Sequence, residues 1–289
     1  MDHRLSALLS LPRAEIDFQL SPSRSAKDAA GSLNTMVSQT RQALTHPKLK
    51  VDRDLEYGPR TRQKIDVFRP DNPEGAALPC LVFIHGGFWQ EGDKSVAGFA
   101  AESFAEMGWA WISVGYTLTP DVTLSALTAE VHEAVEYISS NASTWGIDPR
   151  KIVLAGHSAG AHLAASVVTD ALGLNVAPLI AGAVLISGVY ELAPIAASYV
   201  NDLARITPEE IAALSPLRQI PAAASNVHLL IGADEPEAFQ IQTQVLQITW
   251  STLLDNLTCE KAAGRDHFDV LEELNDPASP TRVAINNMV

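Results

Sequence analysis

Cysteine is scarce in this chain, with only Cys80 and Cys259 in 289 residues. Neither belongs to a CxxC pair or to a Cys/His spacing suited to a metal, which argues against a disulfide framework, a zinc module or a dithiol redox site. Both sit in apolar or strand-like runs, PCLVFIH and LTCEK, so buried free thiols are expected. Positive charge is thin as well. Lys and Arg number 20 against 34 Asp and Glu, a net charge of −14. Such a surface repels phosphate backbones, and no basic run offsets it, so nucleic acid is excluded as the expected partner. Long apolar runs are missing too: nothing approaches the roughly 18 residues of a membrane span. The N-terminal stretch LSALLSL ends at Pro12 and Arg13 without a small-residue cleavage site. We expect no membrane span, no secretory leader and a cytoplasmic location.

What is present is apolar mass in ordered pieces. Hydrophobic residues make up 47% and charged residues 19% of the chain, enough for a large core, and α/β folds of this length commonly form one domain. Residues 1–48 read as an N-terminal arm that packs on the core and carries a helix from about Ala26 to Leu44. Residues 49–289 read as one α/β domain. VDRDLEYG and RQKIDVFRP, joined at Gly58-Pro59, predict an antiparallel hairpin at a sheet edge. The nearly continuous apolar run LPCLVFIH predicts a strand covered on both faces. Strands at WAWISVGY, KIVLAG, LIAGAVLISGVY, NVHLLIGA and DNLTCEKA then alternate with helices near 95–107, 124–143, 159–172 and 237–255, followed by helical segments from Phe268 onward. This order predicts an α/β fold with a mostly parallel, doubly wound sheet. Ligand sites in such sheets lie beyond the carboxyl ends of strands.

Gly156-His157-Ser158-Ala159-Gly160 has the form G-x-S-x-G, with a strand leading in and a helix leading out. A sharp strand-to-helix turn needs small neighbours and lifts the serine hydroxyl above the sheet edge, so Ser158 is the candidate nucleophile. The plainer alternative is Ser158 as a helix N-cap. His85-Gly86-Gly87-Phe88-Trp89 follows the first buried strand. Its paired glycines allow a loop to turn main-chain N–H groups toward a substrate. Gly87, Phe88 and Ala159 are the candidate oxyanion donors, and one such donor is typically worth ~10²–10³ in rate. An ordinary Gly-Gly turn is the competing explanation, and His85 itself reads as a brace for the loop.

A serine nucleophile needs a base oriented by an acid. In this kind of fold the chain order is serine, acid, histidine. His162 lies on the helix after the serine and His228 inside a strand, so His267, in the loop AAGRDHFDVLEEL, is the expected base. For the acid, LLIGADEPEAF offers Asp234, Glu235 and Glu237. Asp234 comes first after the strand, where a short side chain can be buried and aimed, and is the expected acid, with Glu237 second. Glu235 and Glu237 flank Pro236 and read as carboxylates favoured at a helix N-terminus. Asp266 abuts His267 too closely to orient its ring, and Asp269 reads as a helix-start residue.

Taken together, HGGFWQEGDKS, AGHSAGAHLAA, SGVYELAPI, LSPLRQ, GADEPEAF and GRDHFDVLEEL resemble the arylformamidases, or kynurenine formamidases. These are α/β-hydrolases related to the hormone-sensitive-lipase and carboxylesterase group. The resemblance runs from about residue 60 to 275, with a fainter SPSR match at Ser21–Arg24. It implies an α/β-hydrolase fold, no cofactor, no metal, and hydrolysis of an aryl formamide, N-formylkynurenine foremost, to formate and the free amine. Two positions depart from the pattern. Leu20 stands where a tyrosine usually precedes SPSR, and Phe88 stands for the tyrosine of HGGxW. If those tyrosines hydrogen-bond substrate, a different or less discriminating pocket follows.

Phe88, Trp89, Tyr190 and Leu20 are the candidate substrate contacts, Tyr190 being equally well explained as core. The expected partner is a small aromatic amide or ester, with at most a second copy of the chain in a homodimer. Two alternatives stay open: a carboxylesterase or aryl carbamate hydrolase with the same three residues, and a non-catalytic ligand-binding relative.

Overall fold

A computed structural model of the chain describes residues 2–71, 75–222 and 226–289. Eight strands form one sheet: β1 (Leu49–Glu56), β2 (Lys64–Pro70), β3 (Leu78–Ile84), β4 (Ala110–Val114), β5 (Ile147–His157), β6 (Gly182–Ile186), β7 (Asn226–Gly232) and β8 (Leu257–Ala262). Their order is β1-β2-β4-β3-β5-β6-β7-β8. β1 pairs antiparallel with β2, and β2 with β4. From β4 to β8 every pairing is parallel. The predicted edge hairpin and doubly wound parallel sheet are both present.

The alternation of side chains along a strand builds two cores from one sheet. In β3, Cys80, Val82 and Ile84 enter one layer, together with Leu154, Leu185 and Leu229. Leu81 and Phe83 enter the other, with Val153, Val184 and Leu230. This double coverage is why LPCLVFI reads as an unbroken apolar run. In the second layer Phe83 stacks on Trp111 at 5.3 Å, and Phe99 and Phe104 set their edges against the same indole. Burying one such ring stabilises the fold by about 1.5–3 kcal/mol.

The helices are α1 (His3–Leu9), α2 (Arg13–Gln19), α3 (Pro22–Ser25), α4 (Ala29–Thr45), α5 (Ala101–Glu106), α6 (Leu124–Asn141), α7 (Ala159–Val168), α8 (Leu192–Ala196), α9 (Asn201–Ala204), α10 (Pro208–Leu214), α11 (Glu237–Trp250) and α12 (Pro280–Asn286). The long helix expected from Ser95 to Met107 is shorter: a single 3₁₀ turn at Lys94–Val96 precedes α5. The break falls at Gly98, where a Cβ would meet the Phe68 ring at 2.7 Å. The chain from Glu191 to Leu214 carries three short helices that its sequence pattern does not announce. Among the described residues no helix is long and apolar enough to cross a membrane. Cys80 is buried as expected and Cys259 is only partly buried, both as free thiols.

Candidate active site

The turn after β5 brings Ser158 above the sheet with φ 56° and ψ −119°, a backbone conformation that costs a non-glycine residue energy and marks functional turns. Its neighbours show why the motif needs glycine. A Cβ on Gly156 would lie 2.1 Å from the carbonyl oxygen of Gly160, and one on Gly160 would lie 2.1 Å from that of Ile84. The loop after β3 packs directly on this turn: a Cβ on Gly86 would sit 3.0 Å from the Ser158 Cβ. Gly87, Phe88 and Trp89 all have positive φ, at 108°, 46° and 61°. This run of left-handed residues curls the loop, and the Gly87 carbonyl accepts the N–H groups of Gln90 and Glu91. Ala159 is the first residue of α7, where a helix N–H has no partner within the helix.

His267 follows β8 on a loop held by its own carboxylates. Asp266 Oδ1 accepts the N–H groups of Phe268 at 2.9 Å and Asp269 at 3.1 Å, while Asp269 Oδ1 accepts that of Asp266 at 2.6 Å. Asp266 Oδ2 accepts the N–H of Lys27, tying the N-terminal arm to the histidine loop. Burial raises the Asp266 pKa, but the N–H donors of Phe268, Lys27 and Asp269 outweigh it and hold the carboxyl below its ordinary range.

The group on the imidazole is Glu235. Its Oε2 lies 2.7 Å from His267 Nδ1, and both side chains are almost fully buried. The other oxygen, Oε1, accepts the Ser187 hydroxyl at 2.5 Å and the Gly232 N–H at 2.8 Å. Asp234, the expected acid, faces the other way. Its side chain is 46% exposed and pairs with Lys27 Nζ at 2.8 Å. The cause is the turn after β7. The N–H groups of Ala233 and Asp234 bond to the carbonyls of Ala262 and Arg265, which directs Asp234 outward, and the turn closes with the Glu235 N–H on the Gly232 carbonyl. Glu235 thus folds back over the strand end, and its extra methylene gives the reach. Glu237 is exposed at the start of α11.

Four other histidines, His157, His85, His162 and His228, are held in structural contacts. His157 Nε2 donates to the His267 carbonyl at 2.7 Å, and the two rings sit 4.7 Å apart. Burial, and then the proximity of His267, hold the His157 pKa well below its usual value. His85 Nδ1 donates to the Gly86 carbonyl at 2.8 Å and its ring stacks on Tyr116, whose hydroxyl donates to the His85 carbonyl. His85 is therefore a loop brace, as expected. His162 Nε2 donates to the Leu214 carbonyl, and His228 lies between Thr258 and Thr281.

Ser158 and His267 line one cavity of about 330 Å³, roofed on one side by Pro22, Ser23, Leu33 and Met36 of the arm and bordered by Phe88 and Tyr199. Of the four candidate substrate contacts only Phe88 lines it. Trp89 is fully buried and packs its ring against His162. Tyr190 is fully buried and would collide with a Cβ on Gly188. Leu20 is 1% exposed, in the core, and reaches the site only through its carbonyl, which accepts the Tyr199 hydroxyl at 3.2 Å. The sequence pattern singles out neither Tyr199 nor Met36, and it offers Glu235 only as a carboxylate favoured at a helix N-terminus, behind Asp234.

The sheet, the strained serine turn and the carboxylate-bound histidine define an α/β-hydrolase. The BD-FAE family model matches residues 65–175. The kynurenine formamidase of Salmo salar is 30% identical over 94% of this chain and 95% of its own length, and that of Danio rerio 29% identical over 92% and 93%. The chain belongs to the kynurenine formamidase family and is a hydrolase. A solved structure described as a putative thioesterase from Silicibacter superposes with a TM-score of 0.81 at 29% identity, covering 94% of this chain and 99% of that one. Esterase B from Lactobacillus rhamnosis shares the fold, with a TM-score of 0.69 at 18% identity over 90% and 92%.

Proposed function

We propose that Ser158, His267 and Glu235 form a catalytic triad that hydrolyses aryl formamides, N-formylkynurenine being the substrate to measure first. Ser158 Oγ attacks the formyl carbon as His267 Nε2 takes its proton. Glu235 holds the Nδ1–H tautomer and stabilises the imidazolium. The N–H groups of Gly87, Phe88 and Ala159 receive the oxyanion. His267 then protonates the aryl nitrogen, the C–N bond breaks, and the free amine leaves a formyl-serine. Water, deprotonated by the same imidazole, attacks that ester and releases formate.

The observation that carries this reading is the 2.7 Å contact between His267 Nδ1 and Glu235 Oε2, in a loop that borders the same cavity as Ser158. The full-length likeness to proteins named kynurenine formamidase supports the formamide as substrate. Aryl esters are expected to turn over too, because the wall at Phe88 has no hydroxyl with which to reject an apolar ligand. The test compares kcat/KM for N-formylkynurenine, p-nitrophenyl esters and phenyl carbamates on purified protein. Ser158→Ala is expected to remain folded and to lose labelling by a fluorophosphonate. Cleavage of esters or carbamates with no aryl formamide cleaved would keep the triad and remove the formamidase assignment. Labelling of the alanine variant at the wild-type rate would remove the nucleophile.

A further inference from the structure

The charged side chains on the cavity wall beside Ser158 and His267 are Glu91 and Asp93; among the described lining residues none is Lys or Arg. The two carboxylates differ. Asp93 is already engaged, by Arg62 at 3.2 Å and by the Ser95 N–H at 2.9 Å. Glu91 is exposed and has no ion-pair partner among the described residues. It also stands close to the chemistry. Its N–H bonds the Gly87 carbonyl at 3.1 Å, and its Cγ lies 2.9 Å from where a Gly87 Cβ would be.

His85 takes no part in this: its Nδ1 donates to the Gly86 carbonyl and its Nε2 is buried out of reach of a ligand. The free carboxylate of Glu91 calls for a donor, and a cationic one best of all. Arg24, next to the lining residue Ser23, is exposed and does not itself line the cavity, and two other cations near it are committed elsewhere. Arg62 bonds the Tyr116 and Gly92 carbonyls besides Asp93, and Lys27 bonds Asp234 and the Gly264 carbonyl. A substrate carboxylate entering this cavity finds no free partner on its wall.

We propose that this site prefers aryl formamides and esters bearing an aliphatic ammonium and no carboxylate, with Glu91 as the specificity-determining residue. The proposal rests on the hydrolase reading above and refines its substrate class. The ammonium would lie against the Glu91 carboxylate while the acyl group sits under the oxyanion loop. A zwitterionic amino acid such as N-formylkynurenine would keep the ammonium contact but place its carboxylate among like charges, and would rank below the corresponding amine.

The test is a matched series of ring-substituted formanilides with neutral, aminoethyl, carboxyethyl and zwitterionic side chains, together with the same four groups on phenyl acetate. At low ionic strength kcat/KM for the aminoethyl compound should exceed that for the carboxyethyl compound by about tenfold or more, a ratio that salt reduces. Glu91→Gln should cut this ratio several-fold, and Glu91→Lys should invert it. A carboxyethyl compound equal to or better than the aminoethyl one in both sets would overturn the proposal. So would a ratio that neither Glu91 variant changes, or a carboxylate preference abolished by Arg24→Gln, the exposed cation next to the lining residue Ser23. Inert formanilides with active esters would remove the formamide reading alone, and the ester series would still decide the charge order.

Discussion

Glu235 and His267 meet at 2.7 Å while Asp234, one residue earlier, reaches away to Lys27. Glu235→Gln is therefore expected to lower kcat by about 10³–10⁴-fold, because an amide at this position favours the wrong imidazole tautomer. Asp234→Asn removes an exposed ion pair worth about 0–1 kcal/mol and should leave kcat within about twofold. Steady-state kinetics on both variants decide the matter, and the opposite ranking would return the role to Asp234.

Leu20 and Phe88 both depart from the family pattern, yet only Phe88 lines the cavity. Phe88→Tyr should raise selectivity for N-formylkynurenine over a phenyl ester by adding a donor to the wall. Leu20→Tyr overfills a packed core and should cost about 1–3 kcal/mol of stability. Urea denaturation alongside the two kcat/KM values separates the outcomes; a selectivity change from Leu20→Tyr at full stability would contradict this placement.

Met36 contributes to the cavity from α4 of the arm. Trimming it to alanine removes apolar contact that ground state and transition state share. KM for an aryl ester should rise several-fold with kcat little changed, as expected of uniform binding. An equal fall in kcat would mean that the arm orders the catalytic groups rather than the substrate.

Burial lowers the pKa of His85 and of His162 to about 4. In the unfolded chain each titrates near 6.5. Between these values the unfolded chain holds more protons, so stability rises with pH there and is lost as pH falls from about 6.5 toward 4. Together the two groups give a slope on the order of 1–3 kcal/mol per pH unit. His162→Gln keeps a donor for the Leu214 carbonyl and should flatten the curve relative to wild type. Parallel slopes for the two proteins in urea titrations between about pH 7 and 4.5 would show that His162 is not held neutral.

The sequence by itself determined the sheet, its edge hairpin, the serine turn, the glycine-rich loop after β3 and the loop that brings His267 to the same cavity. These features are local: apolar runs report two-sided burial, and Gly156, Gly160 and Gly86 mark positions where any Cβ would strike neighbouring backbone or the Ser158 side chain. Tertiary structure decided what depends on direction. Whether Asp234 or Glu235 faces the imidazole turns on a bond from the Asp234 N–H to Arg265, 31 residues along the chain, which no local pattern encodes. Whether an aromatic lines the cavity or fills the core was likewise open. Trp89, adjacent to Phe88, turns inward in a loop where three successive residues, Gly87, Phe88 and Trp89, take positive φ. The arm's place over Ser158 follows from long-range bonds between Lys27 and the loops carrying Asp234, Gly264 and Asp266. Contacts between segments so far apart in the chain exist only once the sheet has brought the segments together.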